Sequence, residues 1–259
     1  MKSETTTVWS FVLGIFALGL ASSLLAAEPP PPPMMVETWA CSYKEGKDWG
    51  DKRKARDYLV AQIEKAGLKK TPAYHWTQKK GMVPVDTVWF DVHENVAEFG
   101  AASDAWDASG IGPGVDAQFN RVEDCTAGLS SMRVVHEQED DAEAEEDDTT
   151  LISNLACTFK DGSGFAQMPD LMQHIGTVMS GMGADGPGFA AVRQPITGGP
   201  NFPDVFLFSV FDDMTHWSKY VAQLFGTDAG QRMRNHMNMV LDCSISMWDG
   251  QMVVAPDDE

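Results

Sequence analysis

The most constraining feature of this 259-residue chain is that it repeats itself. Ala40-Cys41-Ser42-Tyr43-Lys44-Glu45-Gly46 returns as Ala156-Cys157-Thr158-Phe159-Lys160-Asp161-Gly162, with four of the seven residues identical and the rest close exchanges. Asn120-Arg121-Val122-Glu123-Asp124-Cys125 returns as Asn238-Met239-Val240-Leu241-Asp242-Cys243. The offset is 116 residues at the first landmark and 118 at the second, so two units of common ancestry are joined with only small insertions. Between them, residues 136–150 are dominated by Asp and Glu and hold no large apolar side chain, the composition of a self-repelling, solvated linker. This strip lacks the glycine turn and the alternating ligand spacing of a calcium loop.

Each unit reads as strand, helix, strand, strand, helix, strand. In the first, residues 36–43 are rich in β-favouring types, and 51–66 put Ala55, Tyr58, Leu59, Ile63 and Ala66 on one helical face, with Gly67 as a stop. Residues 74–77 and 87–93 read as strands joined by a turn with Gly81 and Pro84; 95–106, continued by 115–122, supply a second helical region, and 130–135 the last strand. The second unit follows with 152–159, 168–182, 188–193, 205–211, a helical stretch 214–241 broken near Gly226, and 244–248.

This βαββαβ order is the split-βαβ, ferredoxin-like arrangement, whose antiparallel sheet is covered by helices on one face only. On that order and on the duplication, residues 36–135 and 152–254 resemble the dimeric α+β-barrel superfamily, which includes the antibiotic-biosynthesis-monooxygenase-like domains, in a tandem, single-chain form. The chain is also similar to exported bacterial proteins with Cys-x-[Tyr/Phe]-x-x-Gly near the start and Asp-Cys near the end of each unit. The resemblance implies an α+β fold of two ferredoxin-like βαββαβ repeats packed sheet to sheet as one barrel; it brings no defined active site. The expected division is an export segment at 1–27, a proline-rich spacer at 28–35, repeat 1 at 36–135, the acidic linker at 136–150, repeat 2 at 151–254 and a tail at 255–259.

Lys2 followed by the nearly unbroken apolar run 8–27, ending in Ala26 and Ala27, reads as an export signal. The same run is long enough to span a bilayer, so a cleaved signal and a retained anchor both stand, and the expected location is the periplasm or beyond, free or tethered. The five prolines from Pro29 to Pro33 form a stiff polyproline II spacer. A net charge of −19 excludes a nucleic-acid partner, which would need a basic footprint, and leaves an uncleaved N-terminal segment as the one route to a membrane. Four cysteines in an exported chain imply two disulfides, and no Cys-x-x-Cys spacing offers a metal site. Of three possible connectivities, duplication selects Cys41–Cys125 and Cys157–Cys243, and the ferredoxin-like order makes the first and last strands of each unit neighbours.

Alternation on the third strand separates two sets of side chains. Val88, Phe90 and Val92, with Phe206, Phe208 and Val210 in the second unit, suit a helix-covered face. Trp89, Asp91 and His93, with Leu207, Ser209 and Phe211, are then expected to line the interior between the sheets, joined by Tyr74 and Trp76. Such an aromatic cavity would bind a small hydrophobic or aromatic molecule, and Asp91 and His93 are the candidate catalytic pair, an acid and an imidazole able to share a proton. Met233, Met237, Val240 and Leu241 fall on one helical face as a core stripe, in preference to a copper site with His236. The glycine-rich stretches 110–114 and 183–188 are turns, and no nucleotide, cofactor or metal motif is present. The leading expectation is a non-catalytic exported barrel that binds a small hydrophobic ligand or a protein. The alternatives are a cofactor-independent monooxygenase or isomerase using His93 and Asp91, and an interaction module with a filled interior.

Overall fold

The computed structural model describes residues 32–81, 83–138, 149–197 and 202–256; the expected export segment, and most of the acidic linker, lie outside them. The first repeat comprises β1 (Met34–Tyr43), α1 (Trp49–Ala66), β2 (Ala73–Lys80), β3 (Thr87–His93), α2 (Val96–Ser109), α3 (Gly112–Phe119) and β4 (Glu123–Glu137). The second comprises β5 (Thr150–Phe159), α4 (Met168–Ser180), β6 (Phe189–Pro195), β7 (Val205–Phe211), α5 (Met214–Gly226), α6 (Asp228–Val240) and β8 (Leu241–Val254). Local chemistry sets the helix limits. Asp48 and Asn95 cap α1 and α2 by accepting backbone N–H bonds, and Gly67 and Gly110 end them at φ 66° and 67°, a conformation that glycine adopts without strain. Among the described residues no helix is long and apolar enough to cross a membrane.

The eight strands close into one barrel in the order β1-β3-β2-β8-β5-β7-β6-β4. Each half is an antiparallel ferredoxin-like sheet, so the fold is α+β with tandem repeats. The halves also share edges: β4 leaves β1 near Met132 and continues along β6, while β8 leaves β5 near Gly250 and continues along β2. These last strands are longer than the segments 130–135 and 244–248 predicted from sequence. Their first halves carry polar residues such as Asp124, Thr126 and Asp242, which hide the strand pattern. As expected, Cys41 is bonded to Cys125 and Cys157 to Cys243, each pair lying in register between the first and last strands of its own repeat. Two disulfides mark an oxidising compartment.

Three cores result. Val36, Val88, Phe90, Trp76 and Met132 from repeat 1 meet Ile152, Ala191 and Trp248 from repeat 2 inside the barrel. Between sheet and helices lie a small core under the helices of repeat 1, where Trp89 meets Val253 from the crossing end of β8, and a large one in repeat 2. The facing expected on the third strands is therefore inverted. Val88, Phe90, Val92, Phe208 and Val210 point into the barrel, whereas Trp89 and Leu207 lie under the helices. Both faces of a closed, helix-covered barrel are buried, so apolarity alone does not tell them apart. Inside, the Arg193 guanidinium sits 4.7 Å from the centroids of both Phe90 and Phe206 and donates to Thr38 Oγ1 at 2.7 Å. By register it stands where repeat 1 has Trp76, acting as a flat plate between rings, and burial lowers its pKa to about 9.

One polar cluster beneath the helices has no counterpart in repeat 2. Fully buried Lys52 on α1 makes an ion pair with Glu123 at 2.9 Å and donates to Thr87 Oγ1 at 3.1 Å. Burial lowers the Lys52 pKa and raises that of Glu123, and each charge partly offsets the other's shift. The equivalent places in repeat 2 hold Met168, Leu241 and Val205, all buried in its core. The fold thus accepts either solution.

Two outcomes follow. Removing one disulfide by a paired Cys→Ala substitution costs about 2–5 kcal/mol, measured by urea unfolding. Glu123→Leu alone costs about 3–5 kcal/mol because it strands the Lys52 charge, whereas the triple variant Lys52→Met/Thr87→Val/Glu123→Leu matches wild type or exceeds it by about 1–4 kcal/mol. Equal losses in the single and triple variants would refute this equivalence.

Candidate functional site

Repeat 1 carries a cavity of about 820 Å³ on the outer, helix-covered face of its sheet. Its floor is formed by β1, β3 and the start of β4, and its roof by α1, α2 and α3. Trp39, Trp89, Trp106 and Phe119 supply flat apolar walls, with Leu59 and Ile63 from α1. The space exists because α2 is built of small residues: Ala101, Ala102, Ser103 and Ala105 line the cavity, and no residue of α2 is buried. Repeat 2 offers an internal comparison. At the place of Ala102, α5 carries Tyr220, which is buried, and Val221 and Leu224 stand at the places of Ser103 and Trp106. The corresponding space there measures about 310 Å³ and has largely apolar walls.

The polar groups gather on β1 and β3. Glu37 and Asp91 are register partners on these neighbouring strands and both face the cavity. Directly paired side chains on one face of a sheet start about 5 Å apart. Asp91 accepts a hydrogen bond from Trp89 Nε1 at 2.8 Å. Burial raises its pKa to about 7; the Trp89 bond opposes the rise and Glu37 adds to it. Burial raises Glu37 as well. Two carboxyl groups so placed favour holding a proton over being doubly ionised.

His93, two residues further along β3, is buried, and its Nε2 has no hydrogen-bond partner within the protein. Burial lowers its pKa, so the ring is neutral at physiological pH, although Glu98 pulls in the other direction. Phe99 packs edge-on against it at 5.3 Å. Glu98 is held below the usual carboxylate range by the backbone N–H of Glu94 and by Lys69, which pairs with it at 3.0 Å near the rim. Behind Trp89, His75 stacks on Trp49 at 4.0 Å and is kept neutral by burial and by the nearby Lys52 charge. The arrangement can therefore bind a flat apolar body, hydrogen-bond one polar edge of it, and exchange a proton near neutral pH.

The residues singled out from sequence part company. Trp89, Asp91 and His93 come together in the cavity. That cavity lies beneath the helices; between the sheets, Trp76, Phe90, Phe208 and Trp248 fill the space. Trp76 is thereby removed from the candidate site, and Tyr74 is exposed on β2. Leu207 and Phe211 are buried under the helices of repeat 2, where Tyr220 packs 5.2 Å from Phe211. Sequence reasoning missed Glu37, Lys52 and Glu123. The signals were an acid amid the apolar Met34–Tyr43 run, a lysine three residues before Ala55 on an otherwise apolar helix face, and a glutamate where the repeated landmark has Leu241. Among the described residues one trio of ligand-type groups converges, Cys41, Glu123 and Cys125, but its two sulfurs are bonded to each other.

No sequence-family profile and no curated protein sequence matches the chain. Solved structures do. A Fusobacterium nucleatum protein described as a candidate monooxygenase superposes with a TM-score of 0.55 at 9% identity, covering 87% of this chain and 95% of that one. A candidate monooxygenase from Lactobacillus acidophilus gives 0.54 at 10% identity, covering 87% and 100%. An anthrone oxidase-like protein gives 0.52 at 10% identity, covering 85% and 93%. At such identities the likeness is one of fold, and it agrees with the topology: an α+β barrel made of two ferredoxin-like repeats in a single chain.

Proposed function

We propose that repeat 1 binds a small, planar, mostly apolar molecule carrying at least one oxygen, and that repeat 2 is its packed scaffold. One observation carries this reading. Of two equivalent spaces in one chain, the first is far larger and is lined by carboxyl groups and an unpartnered histidine nitrogen, whereas no carboxyl group lines the second. A cavity of that volume suits a ligand of drug-like size, and its few convergent polar groups would fix orientation. Trp39, Trp89 and Trp106 would stack on or edge against the ring system. Protonated Asp91 would donate to the ligand oxygen, because a carboxyl group with a pKa about 7 carries its proton much of the time at neutral pH.

A second reading is favoured by the same pKa and by the unpartnered His93 Nε2. An acid that is half ionised near neutrality can also accept a proton. An acidic C–H or O–H of the bound molecule would pass its proton to the Asp91 carboxylate, leaving the electron pair on the ligand as an enolate or phenolate. His93, as a neutral imidazole, would hydrogen-bond the developing oxyanion through Nε2–H. That two fold relatives are described as candidate monooxygenases and one as anthrone oxidase-like supports chemistry of this class.

Ala102→Tyr copies the residue that fills repeat 2. It should leave thermal stability equal or higher while weakening binding of a planar aromatic probe, followed by tryptophan quenching, by about tenfold or more. Undiminished binding would remove the cavity from consideration. Protonation adds an independent check. Because the native Asp91 pKa lies above the ordinary value of about 4, folding stability falls as pH rises between those values and levels off above about 7. Asp91→Asn, which mimics the protonated acid, should flatten that part of the stability–pH curve. An unchanged curve would show that Asp91 titrates normally.

A further inference from the structure

On the outer surface of repeat 2, away from the cavity, His174 of α4 and His236 of α6 are hydrogen-bonded to each other through their Nδ1 atoms at 3.0 Å, one ring donating and the other accepting. The two rings are tilted by 36° with centroids 5.3 Å apart, and both are partly buried. At the equivalent positions repeat 1 carries Tyr58 and Gln118, so the pair belongs to repeat 2 alone. We propose that these imidazoles form a chelating site for a divalent transition-metal ion, with Cu(II) preferred over Zn(II).

The donor set favours copper. Metal–imidazole bonds are about 2.0–2.1 Å long, so two nitrogens on one ion lie about 3 Å apart or slightly more. The ion-free pair, one ring donating its N–H to the other at 3.0 Å, already stands near that separation, and moving the shared proton to Nε2 leaves both Nδ1 lone pairs for the ion. The Irving–Williams order decides the metal, since Cu(II) outranks Zn(II) at a pair of nitrogen donors. In an oxidising compartment, marked by the two disulfides, copper is in its cupric form. Two helices, each held by a packed core that includes Ile175 and Met233, fix the donors before the ion arrives, so little ordering is needed on binding. Water completes the coordination. The site is chemically independent of the repeat 1 cavity: its donors lie on different elements.

The test is isothermal titration of the disulfide-bonded protein with Cu²⁺ and with Zn²⁺, beside His174→Tyr, His236→Gln and the double variant, which install the residues of repeat 1. His174→Ala and His236→Ala form a second set, and thermal melting confirms that each variant is folded. His216→Ala controls for the partly buried imidazole paired with Asp212. The expected result is one Cu²⁺ per chain, bound at least tenfold more tightly than Zn²⁺, with a copper paramagnetic resonance spectrum showing coupling to two nitrogens. Each single variant at either histidine should lose about tenfold or more in affinity and the two-nitrogen signature, while His216→Ala retains both. Wild-type affinity in the His174 or His236 variants, or a wild-type spectrum without two coupled nitrogens, would overturn the site. Zn²⁺ binding as tight as Cu²⁺ would overturn the preference for copper.

Discussion

The structure depends on an edge problem. A four-stranded ferredoxin-like sheet has one face and two edges that water must otherwise solvate, and unpaired backbone groups at an edge invite unwanted pairing. Here β4 and β8 resolve all three exposures at once. Each begins beside the first strand of its own repeat, then crosses to the partner sheet, so β4–β6 and β2–β8 ladders leave no free edge in the ring. Closing the ring also brings the two bare faces together, and that is where Trp76, Phe90, Phe208 and Trp248 are buried. The disulfides sit where β4 and β8 set out, pinning each long strand to its own repeat before the crossing.

Closure determines where a ligand can go. Large aromatic side chains pack inside the ring, with Arg193 inserted as a plate between Phe90 and Phe206, and the large cavity lies on the outer face of repeat 1. On the outer faces the helices of each repeat act as adjustable lids whose side-chain volume sets the gap. Repeat 2 closes its gap with Tyr220, Val221, Leu224 and four methionines of its core, Met168, Met179, Met182 and Met233. Repeat 1 leaves its own open with alanines. Unfilled volume costs stability, as does a buried ion pair such as Lys52–Glu123. That the same chain solves both positions apolarly in one half and keeps the open, charged version in the other supports the binding role proposed for that half.

Much of this was legible in the sequence, for reasons that can be named. Duplication exposed the tandem order of elements, and the paired landmarks around Cys41 and Cys157 indicated which cysteines meet. The 3.6-residue pattern of α1 and the stop at Gly67 marked that helix. Trp89, Asp91 and His93 were found because they share one side of a short strand. What failed was the choice of side. Alternation says that Phe90 and Asp91 face opposite ways; it does not say which way is inward, because in a covered barrel both sides are buried. The cavity was invisible for another reason: it is defined by absent side chains on α2, and a run such as Ala97, Ala101, Ala102 and Ala105 reads as ordinary helix former. Glu37 and Lys52 were overlooked because single charges in apolar segments are ordinarily assigned to the surface.

The placement of Asp91 shows how these layers connect. Its backbone position is set by the β1–β3 register, which places Glu37 opposite. Its environment is set by barrel closure, which forces the third strand's other face inward and leaves this one under thin helical cover. Its proton affinity then follows from burial beside a second carboxyl, with the Trp89 N–H as the main opposing influence. Filling the cavity with a larger α2 side chain would dry the site further and raise that affinity still more, yet leave no room for a ligand. Opening it to bulk water would return Asp91 to an ordinary, always-ionised acid. A carboxyl poised near neutrality therefore requires a cavity wide enough to admit a molecule and narrow enough to exclude bulk water, and of the two repeats only the first combines such a cavity with an acid.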